Sequence, residues 1–166
     1  MNSRIATLAD NSELASFCCC PDGGPAWAKE TENYIRAASL RQAEKVLLLH
    51  DDDGELVGVS AFDTRMIDVV PVLEPVEVRG WHLHAMAIRL DDQRQGLCGE
   101  LFVQTFDAMY GQDRTRSLVT ANVHEENHPS IKACAKAGLE LLRPNGDGYN
   151  LLLAVVPRTK LPDGLE

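Results

Sequence analysis

The chain has 166 residues, 45% of them hydrophobic, and a formal net charge of −9 at pH 7. This length predicts one domain with a buried core, and the negative charge argues against a nucleic-acid backbone as the main partner. Apolar runs stay far short of the roughly 18 residues that a membrane-spanning helix needs, and the N-terminus lacks a basic-then-apolar signal pattern. We therefore expect a cytoplasmic protein with no membrane partner.

In chain order, the first predicted elements are a strand and two helices. The strand is expected over residues 4–8, and Asp10 or Asn11 can cap a helix over residues 12–19. The sequence PDGG then breaks the chain. Pro25 can open the second helix, because its missing N–H has no intrahelical partner at that position.

The middle of the chain predicts a hairpin followed by a long strand. Two β-rich runs, 45–50 and 55–63, are joined by a loop that ends in Asp-Gly, which is typical of an antiparallel hairpin. Residues 66–78 contain two prolines and predict an irregular connection into the next strand. That strand continues to Ile88, and Gly80 within it is expected to mark a bend or a bulge.

The last third predicts two more helices and three more strands. The helices are expected over about residues 96–110 and 128–138, and the strands over 116–123, 139–143 and 149–156. This order of elements predicts a mixed α/β fold in which helices cover one twisted sheet. We expect a single domain over residues 1–156 and a C-terminal tail over residues 157–166.

The cysteines predict neither a disulfide framework nor a metal site. Their number is odd, three of them are adjacent, and the five are Cys18, Cys19, Cys20, Cys98 and Cys134. No CxxC pair with the spacing of zinc ligands is present. We therefore expect reduced, packed thiols and no bound metal.

Two glycines, Gly96 and Gly99, stand at the start of a predicted helix, where glycine costs about 1 kcal/mol relative to alanine. A helix N-terminus presents N–H groups without partners and a partial positive charge, and small residues let an anion approach them. Arg94 and Arg89 are close in sequence and could add contacts to a phosphate. The alternative is that Gly96 only forms a turn and Gly99 only allows close packing.

The segment MAIRLDDQRQGLCGELF, residues 86–102, resembles the cofactor-binding segment of the GNAT superfamily of N-acetyltransferases. The family motif reads Gln/Arg-x-x-Gly-x-Gly/Ala, and the matching residues are Gln93, Arg94, Gln95, Gly96, Leu97 and Cys98. Cysteine stands where the family usually has glycine or alanine, and Gly99 follows it.

A second segment, NHPSIKACAKAGLEL, resembles the family's Asn-x-x-Ala sequence and the short helix after it. The matching residues are Asn127, Ser130, Lys136, Gly138 and Leu139, with serine in place of alanine and leucine in place of phenylalanine. The resemblance covers residues 45–156 well and the first 45 residues loosely. It implies a central, twisted, mostly antiparallel sheet flanked by about four helices.

The resemblance implies direct transfer of an acetyl group from acetyl-CoA to a primary amine, on a small molecule, a protein lysine or a protein N-terminus. The backbone amides of residues 94–99 would hold the diphosphate of the co-substrate. Met86, Ala87 and Ile88 are the family positions beside the thioester carbonyl. Asn127 and Ser130 would contact the pantetheine arm or only cap their helix. The strand at residues 151–156 either lies inside the sheet or pairs across a homodimer.

For the base that removes the amine proton, the strand offers His82 and His84, which alternate onto one face with Met86. His82 falls where some family members carry a catalytic glutamate, and an imidazole with a reference pKa near ~6.5 can accept a proton at neutral pH. The alternative is that neighbours simply satisfy both histidines on a half-buried strand. Glu77 is a further carboxylate upstream on the same strand.

The family's usual acid, a tyrosine in the last helix, is replaced by Cys134. A thiol with a reference pKa near ~8.5 can in principle protonate the leaving thiolate. We prefer the interpretation that Cys134 is a small apolar filler, and Tyr149 is a further candidate from another direction. Without an acid, the alternative function is a catalytically weak acyl-CoA-binding regulatory module of the same fold.

Overall fold

A computed structural model of the chain describes residues 1–37, 44–68 and 77–155. Its strands are β1 (Asn2–Ile5), β2 (Lys45–His50), β3 (Leu56–Asp68), β4 (Glu77–Ile88), β5 (Leu118–His124), β6 (Glu140–Pro144) and β7 (Tyr149–Val155). Its helices are α1 (Asn11–Ser16), α2 (Ala26–Ala37), α3 (Leu97–Gln112) and α4 (His128–Lys136). The strands form one seven-stranded sheet in the order β1-β2-β3-β4-β5-β7-β6. The predicted mixed α/β fold with a mostly antiparallel sheet is confirmed.

Side chains that alternate along the strands cover both faces of the sheet. In β2, Leu47 and Leu49 belong to the hydrophobic cluster under α3 and α4, whereas Val46 and Leu48 belong to the cluster under α1 and α2. A strand that is buried on both faces requires this period of two. With both faces covered, a ligand reaches the centre of the sheet where neighbouring strands separate. No helix in the described ranges is both long and apolar enough to cross a bilayer.

β4 contains one residue more than the stretch of β3 that it faces. Ala85 pairs with Ala61 and Leu83 pairs with Phe62, so His84 has no partner in β3 and forms a β-bulge. The extra residue reverses the faces of the strand. Leu83 belongs to the cluster under α3 and α4, but Ala85, two positions later, belongs to the cluster under α1 and α2. A bulge re-aims side chains in this way without ending the strand.

This bulge corrects two expectations from the sequence. Gly80 does not interrupt the strand, since it pairs regularly with Arg65. Met86 does not share a face with His82: Met86 packs against the cluster that contains Leu83, and His82 alternates with Leu83. An alternation of two residues assumes regular pairing and does not detect an inserted residue. The prediction that Met86 shares a face with His82 was therefore wrong.

β4 and β5 are parallel neighbours that pair over a short stretch only. Their pairs are Trp81–Val119, His82–Thr120 and Leu83–Ala121. Both strands continue past these pairs, β4 to Ile88 and β5 to His124, but they do not pair further with each other. We call the gap between the unpaired parts the slot; residues of both strands line it. Because it lies inside the sheet, the slot connects the α3/α4 face with the α1/α2 face.

Three predicted boundaries differ from the structure. The first strand covers Asn2–Ile5 rather than residues 4–8. The first helix ends at Ser16, before the cysteines, because N–H groups in the cysteine run donate to a side chain of α2 instead. β3 extends to Asp68, into the segment that was expected to be irregular. Part of that segment, residues 69–76, lies outside the described residues, and so does the expected tail.

Candidate active site

The loop before α3 bends through two residues in the left-handed region. Gly96, the N-cap of α3, has a φ of 83°, and Arg94 has a φ of 68°. Glycine adopts this conformation without the steric cost that a Cβ brings. A Cβ built on Gly96 or on Gly99 would meet no atom within 4 Å. Close packing against the described residues therefore does not explain Gly99, and the space in front of the first turn of α3 is open.

The backbone of this loop presents a row of hydrogen-bond donors. The N–H groups of residues 94–98 donate to no acceptor among the described residues. Adjacent free donors at the start of a 16-residue helix combine local hydrogen bonding with the positive end of the helix dipole. This arrangement attracts an anion such as a phosphate.

Gln93 fastens the same loop to the rest of the molecule. Its side-chain Nε2 donates to the backbone carbonyl of Cys19 at 2.8 Å and to that of Ile88 at 3.2 Å. The N–H groups of Cys19 and Cys20 donate in turn to Oε2 of Glu32, both at 3.0 Å. Gln93, expected among the cofactor-binding residues, thus positions the loop through its side chain.

Glu32, which sequence reasoning missed, is the carboxylate that holds the cysteine run against α2. It is 1% exposed and forms ion pairs with Lys29 and Arg36. Burial opposes its charge, but Lys29 and the N–H groups of Cys20 and Cys19 lower the pKa of Glu32 to about 2. The sequence did carry a signal, since Lys29 and Arg36 flank Glu32 at the spacing of helical ion pairs.

The two arginines expected near a phosphate differ in their surroundings. Arg89 is paired with Asp92 and lies 3.6 Å from Glu55. Arg94 is exposed and makes no ion pair within the described residues. Arg94 is therefore the cation of this loop that can turn toward an incoming anion without breaking an existing pair.

The remaining predicted cofactor residues lie along the path from the loop into the sheet. Gln95 donates weakly to the carbonyl of Asp91 at 3.4 Å, and Leu97 packs against the cluster under α3. Met86 lines the slot, while Ala87 and Ile88 pair with β3. Past the last β4–β5 pair, the edge of β4 that faces β5 has no strand partner. Its backbone groups are available to a ligand in the slot.

The slot has a different wall on each face of the sheet. On the α3/α4 side the wall consists of Cys98, Phe102, Asn127, Ser130, Ala133 and Cys134. On the α2 side it consists of Trp27, Thr31, His84, His124 and Tyr149. We call residues 93–96, before α3, the glycine loop. Because Cys98 directly follows this loop in the first turn of α3 and also lines the slot, the loop leads directly into the slot.

His82 does not line the slot and is 6% exposed. Its Nδ1 lies 2.9 Å from Oγ1 of Thr120, whose hydroxyl donates to the carbonyl of Trp81. The Thr120 hydroxyl thus links the His82 ring to the backbone of its own strand. Burial, followed by the nearby His84 and Arg65, lowers the pKa of His82 to about 4. His82 is thus a neutral core residue and a weak base.

His84, the bulge residue, does line the slot. Its Nε2 lies 2.9 Å from Oδ1 of Asp63 and 4.0 Å from Oε1 of Glu44. Its ring stacks on Tyr34, with 5.5 Å between ring centroids and 14° between planes. Nη2 of Arg65 lies 3.3 Å from both ring nitrogens. The bulge therefore brings to the slot an imidazole that lies between a carboxylate and a guanidinium.

The two thiols in the slot are protonated at neutral pH. Burial raises the pKa of Cys134 to about 12, and burial also raises the pKa of Cys98. Cys134 is 4% exposed and packs in the cluster under α3 and α4.

Asn127 caps α4 by accepting a hydrogen bond from the N–H of Ser130 at 3.2 Å. Since both residues also line the slot, capping does not prevent them from contacting a ligand.

Besides His84, the α2 side of the slot carries three rings, two of which sequence reasoning missed. Trp27 stacks on His124 with 6.1 Å between ring centroids, and Tyr149 meets His124 edge-on at 5.1 Å. We call Trp27, His124 and Tyr149 the aromatic wall. The Tyr149 hydroxyl donates to Oε2 of Glu30 at 2.9 Å. Burial and this carboxylate raise the pKa of Tyr149.

The resemblance assigned the diphosphate to the backbone amides of residues 94–99, and those of residues 94–98 are unpaired among the described residues. The family model described as "Acetyltransferase (GNAT) family" matches residues 10–139. The chain belongs to the GNAT acetyltransferase family. No curated protein sequence is significantly similar to the chain.

Solved structures share the fold at low sequence identity. A bacterial toxin is 18% identical with a TM-score of 0.73, covering 93% of this chain and 90% of that chain. AtaTR bound with acetyl-CoA is 14% identical with a TM-score of 0.69, covering 93% of each chain. A chimera of the spermidine N-acetyltransferase SpeG from Vibrio cholerae and hSSAT is 11% identical with a TM-score of 0.59, covering 94% of this chain and 97% of that one.

Proposed function

We propose that this chain is an acetyl-CoA-dependent N-acetyltransferase that passes the acetyl group directly to a primary amine. One observation carries the proposal: the unpaired N–H groups of residues 94–98 lead, through Cys98, into the slot between β4 and β5. This path suits a ligand with a diphosphate at one end and a thioester at the other. The similarity in fold to AtaTR bound with acetyl-CoA supports the same ligand.

The residues of the loop fit a diphosphate. The left-handed conformation of Gly96 turns the backbone so that the N–H donors follow one another. No protein atom fills the space that a Cβ on Gly96 would take. Arg94 adds a mobile positive charge, and charge-assisted hydrogen bonds to phosphate are stronger than neutral ones. Gln93 holds the loop in place through Cys19 and Ile88, so little of this geometry has to form on binding.

Acetyl-CoA supplies an acetyl group that is already activated as a thioester. The unpaired edge of β4 beyond Leu83 offers backbone N–H groups to the carbonyl oxygen of that thioester. A fixed N–H donor stabilises negative charge as it develops on a carbonyl oxygen, and loss of one such donor typically costs about 10²–10³-fold in rate. Met86 lies where the edge meets the slot.

We assign the base to His84. Transfer forms a bond between the amine nitrogen and the acetyl carbon, breaks the carbon–sulfur bond, and moves the amine proton to the His84 imidazole. Asp63, 2.9 Å from Nε2, stabilises the imidazolium that results. His82 occupies the position that motif counting favours, but it lies outside the slot and its pKa of about 4 makes it a weak acceptor.

The leaving group departs as a thiolate. A thiol with a reference pKa near ~8.5 is acidic enough to leave without full protonation. Cys134 has a pKa of about 12, so a proton transfer from it to such a thiolate would be uphill by roughly three pKa units. We therefore give Cys134 no proton-transfer role, and the thiolate takes its proton from the imidazolium or from water.

Cys134 stands in place of the family's tyrosine acid and is itself too weak an acid, which favours one alternative, an acyl-CoA-binding regulator with weak chemistry. Two measurements separate the two functions. Calorimetry with coenzyme A reports binding, and release of free thiol from acetyl-CoA in the presence of amines and lysine peptides reports transfer. We expect both signals, with an acetylated amine seen by mass spectrometry. Tight coenzyme A binding without any acetylated product would select the regulator.

A further inference from the structure

The α2 side of the slot is the side from which a second substrate can approach. The glycine loop and α4 direct acetyl-CoA along the α3/α4 side, where Cys98, Asn127 and Ser130 line the wall. The slot passes through the sheet between β4 and β5. An acceptor that enters from the opposite face, past Trp27 and Thr31, meets the thioester at His84.

This entrance presents ring faces. Trp27 and His124 are stacked with 22° between their planes, and Tyr149 stands at 87° to His124. The packing around His124 is tight, since a Cβ built on Gly148 would come within 3.0 Å of its Nε2. Rings fixed in this way offer a preformed surface to a cation, and tryptophan gives the strongest cation–π attraction of the aromatic residues.

The entrance carries an acidic side chain, Glu30, beside Tyr149. Glu30 is exposed and forms no ion pair among the described residues, although its Oε2 accepts the Tyr149 hydroxyl. The chain as a whole has a net charge of −9. A carboxylate beside ring faces attracts an ammonium group and repels a second carboxylate, which gives selectivity as well as affinity.

Resting on the proposed function, we propose that the aromatic wall and Glu30 form the acceptor subsite. We further propose that this subsite selects a positively charged amine over an amine that carries a carboxylate. The ammonium group is held over the ring of Trp27 on its way into the slot. It releases one proton to water to become the nucleophilic amine, and His84 takes the second nitrogen proton during transfer. A second ammonium group on the same stem remains near Glu30.

Three acceptors with the same four-carbon stem test this selectivity: 1,4-diaminobutane, 1-aminobutane and 4-aminobutanoate. With saturating acetyl-CoA, we expect kcat/KM to fall in that order, by about tenfold or more from first to last. Equal values, or the reverse order, with product formed from all three would overturn the subsite while leaving the transferase intact. No product from any of them or from lysine peptides, despite coenzyme A binding, would overturn both proposals.

Two substitutions of Trp27 in the aromatic wall distinguish the contribution of its ring face from that of its indole N–H group. Trp27→Ala is expected to raise KM for 1,4-diaminobutane about 2- to 30-fold, the range that loss of a cation–π contact implies, with coenzyme A affinity unchanged. Trp27→Phe keeps a ring face and should recover most of that loss. A Trp27→Phe variant as weak as Trp27→Ala, with both folded, would show that the ring face does not bind the acceptor.

Glu30→Gln tests whether the negative charge of Glu30 contributes to the selectivity for cationic amines. We expect it to narrow the ratio of kcat/KM between 1,4-diaminobutane and 4-aminobutanoate severalfold. Asp53→Asn removes the same charge from the exposed hairpin between β2 and β3 and should leave the ratio unchanged. An identical effect of the two substitutions would assign the selectivity to net charge alone and overturn the role of Glu30.

Discussion

Replacing Gly96 by aspartate tests whether the loop before α3 holds a diphosphate. Gly96 has a φ of 83°, and a Cβ there would meet no atom within 4 Å. The new carboxylate therefore occupies the space in front of the free N–H groups without displacing protein atoms. Gly96→Asn is the matched control, because asparagine has nearly the same shape and, like aspartate, tolerates the left-handed region better than most residues.

The size of the effect follows from the charges. Two unit charges about 4 Å apart interact by roughly 1 kcal/mol in bulk water and by roughly 4 kcal/mol near a protein surface. Repulsion of the diphosphate in this range weakens coenzyme A binding by about fivefold to about a thousandfold. Strain at the left-handed position affects both variants alike, so the difference between Gly96→Asp and Gly96→Asn isolates the charge.

Isothermal titration calorimetry with coenzyme A at about 0.1 M and about 1 M salt measures this difference. The Debye length falls from about 10 Å to about 3 Å between these conditions, so the gap between the two variants should shrink at high salt. Circular dichroism confirms that each variant is folded. Equal affinities of the two folded variants at low salt would refute the assignment of the loop as the diphosphate site.

Three further predictions concern the slot and the strand beside it. His84→Ala is expected to lower kcat about 10²–10⁴-fold with unchanged coenzyme A affinity; steady-state kinetics and calorimetry check it, and a loss of less than fivefold would exclude His84 as the base. Because the folded pKa of His82 is about 4 against an ordinary ~6.5, the unfolded chain takes up a proton first as the pH falls. The free energy of unfolding should therefore drop by about 3 kcal/mol between pH ~6.5 and ~4 through this group. Urea denaturation at each pH should show that the free energy of unfolding of His82→Gln changes less with pH than that of the unmodified chain. Parallel pH dependences would contradict the lowered pKa of His82. Cys134→Ser should leave kcat within about threefold, whereas a loss of about a hundredfold would give the thiol a role in proton transfer.

The parts of the fold that depend on local sequence could be predicted. Pro25 does precede a helix, α2 (Ala26–Ala37), and the Asp-Gly loop does join β2 and β3. The glycine loop could be placed at the start of α3 because its residues are contiguous. Each of these features rests on backbone preferences of neighbouring residues, which the sequence displays directly.

The bulge at His84 could not be predicted in the same way. An inserted residue changes the faces of a strand without changing its composition, and the glycine at position 80 pointed to the wrong place. The residues that line the α2 side of the slot could not be predicted for a different reason. Glu30 and Tyr149 are 119 positions apart, and no spacing rule connects residues that only the packing of α2, β5 and β7 brings together.

The lining of the slot supports the proposed direct transfer over a route through a covalent acetyl-enzyme. A covalent route needs a thiolate or an activated hydroxyl beside the thioester. The thiols that line the slot, Cys98 and Cys134, both have a pKa raised by burial, so neither is an efficient nucleophile at neutral pH. Two substrates that enter from opposite faces can instead occupy the slot together, which predicts intersecting lines in double-reciprocal plots when acetyl-CoA and amine are varied. Parallel lines, together with an acetylated cysteine peptide in the digested enzyme, would show that the acetyl group rests on the protein and that the two-sided slot does not work by direct contact of its substrates.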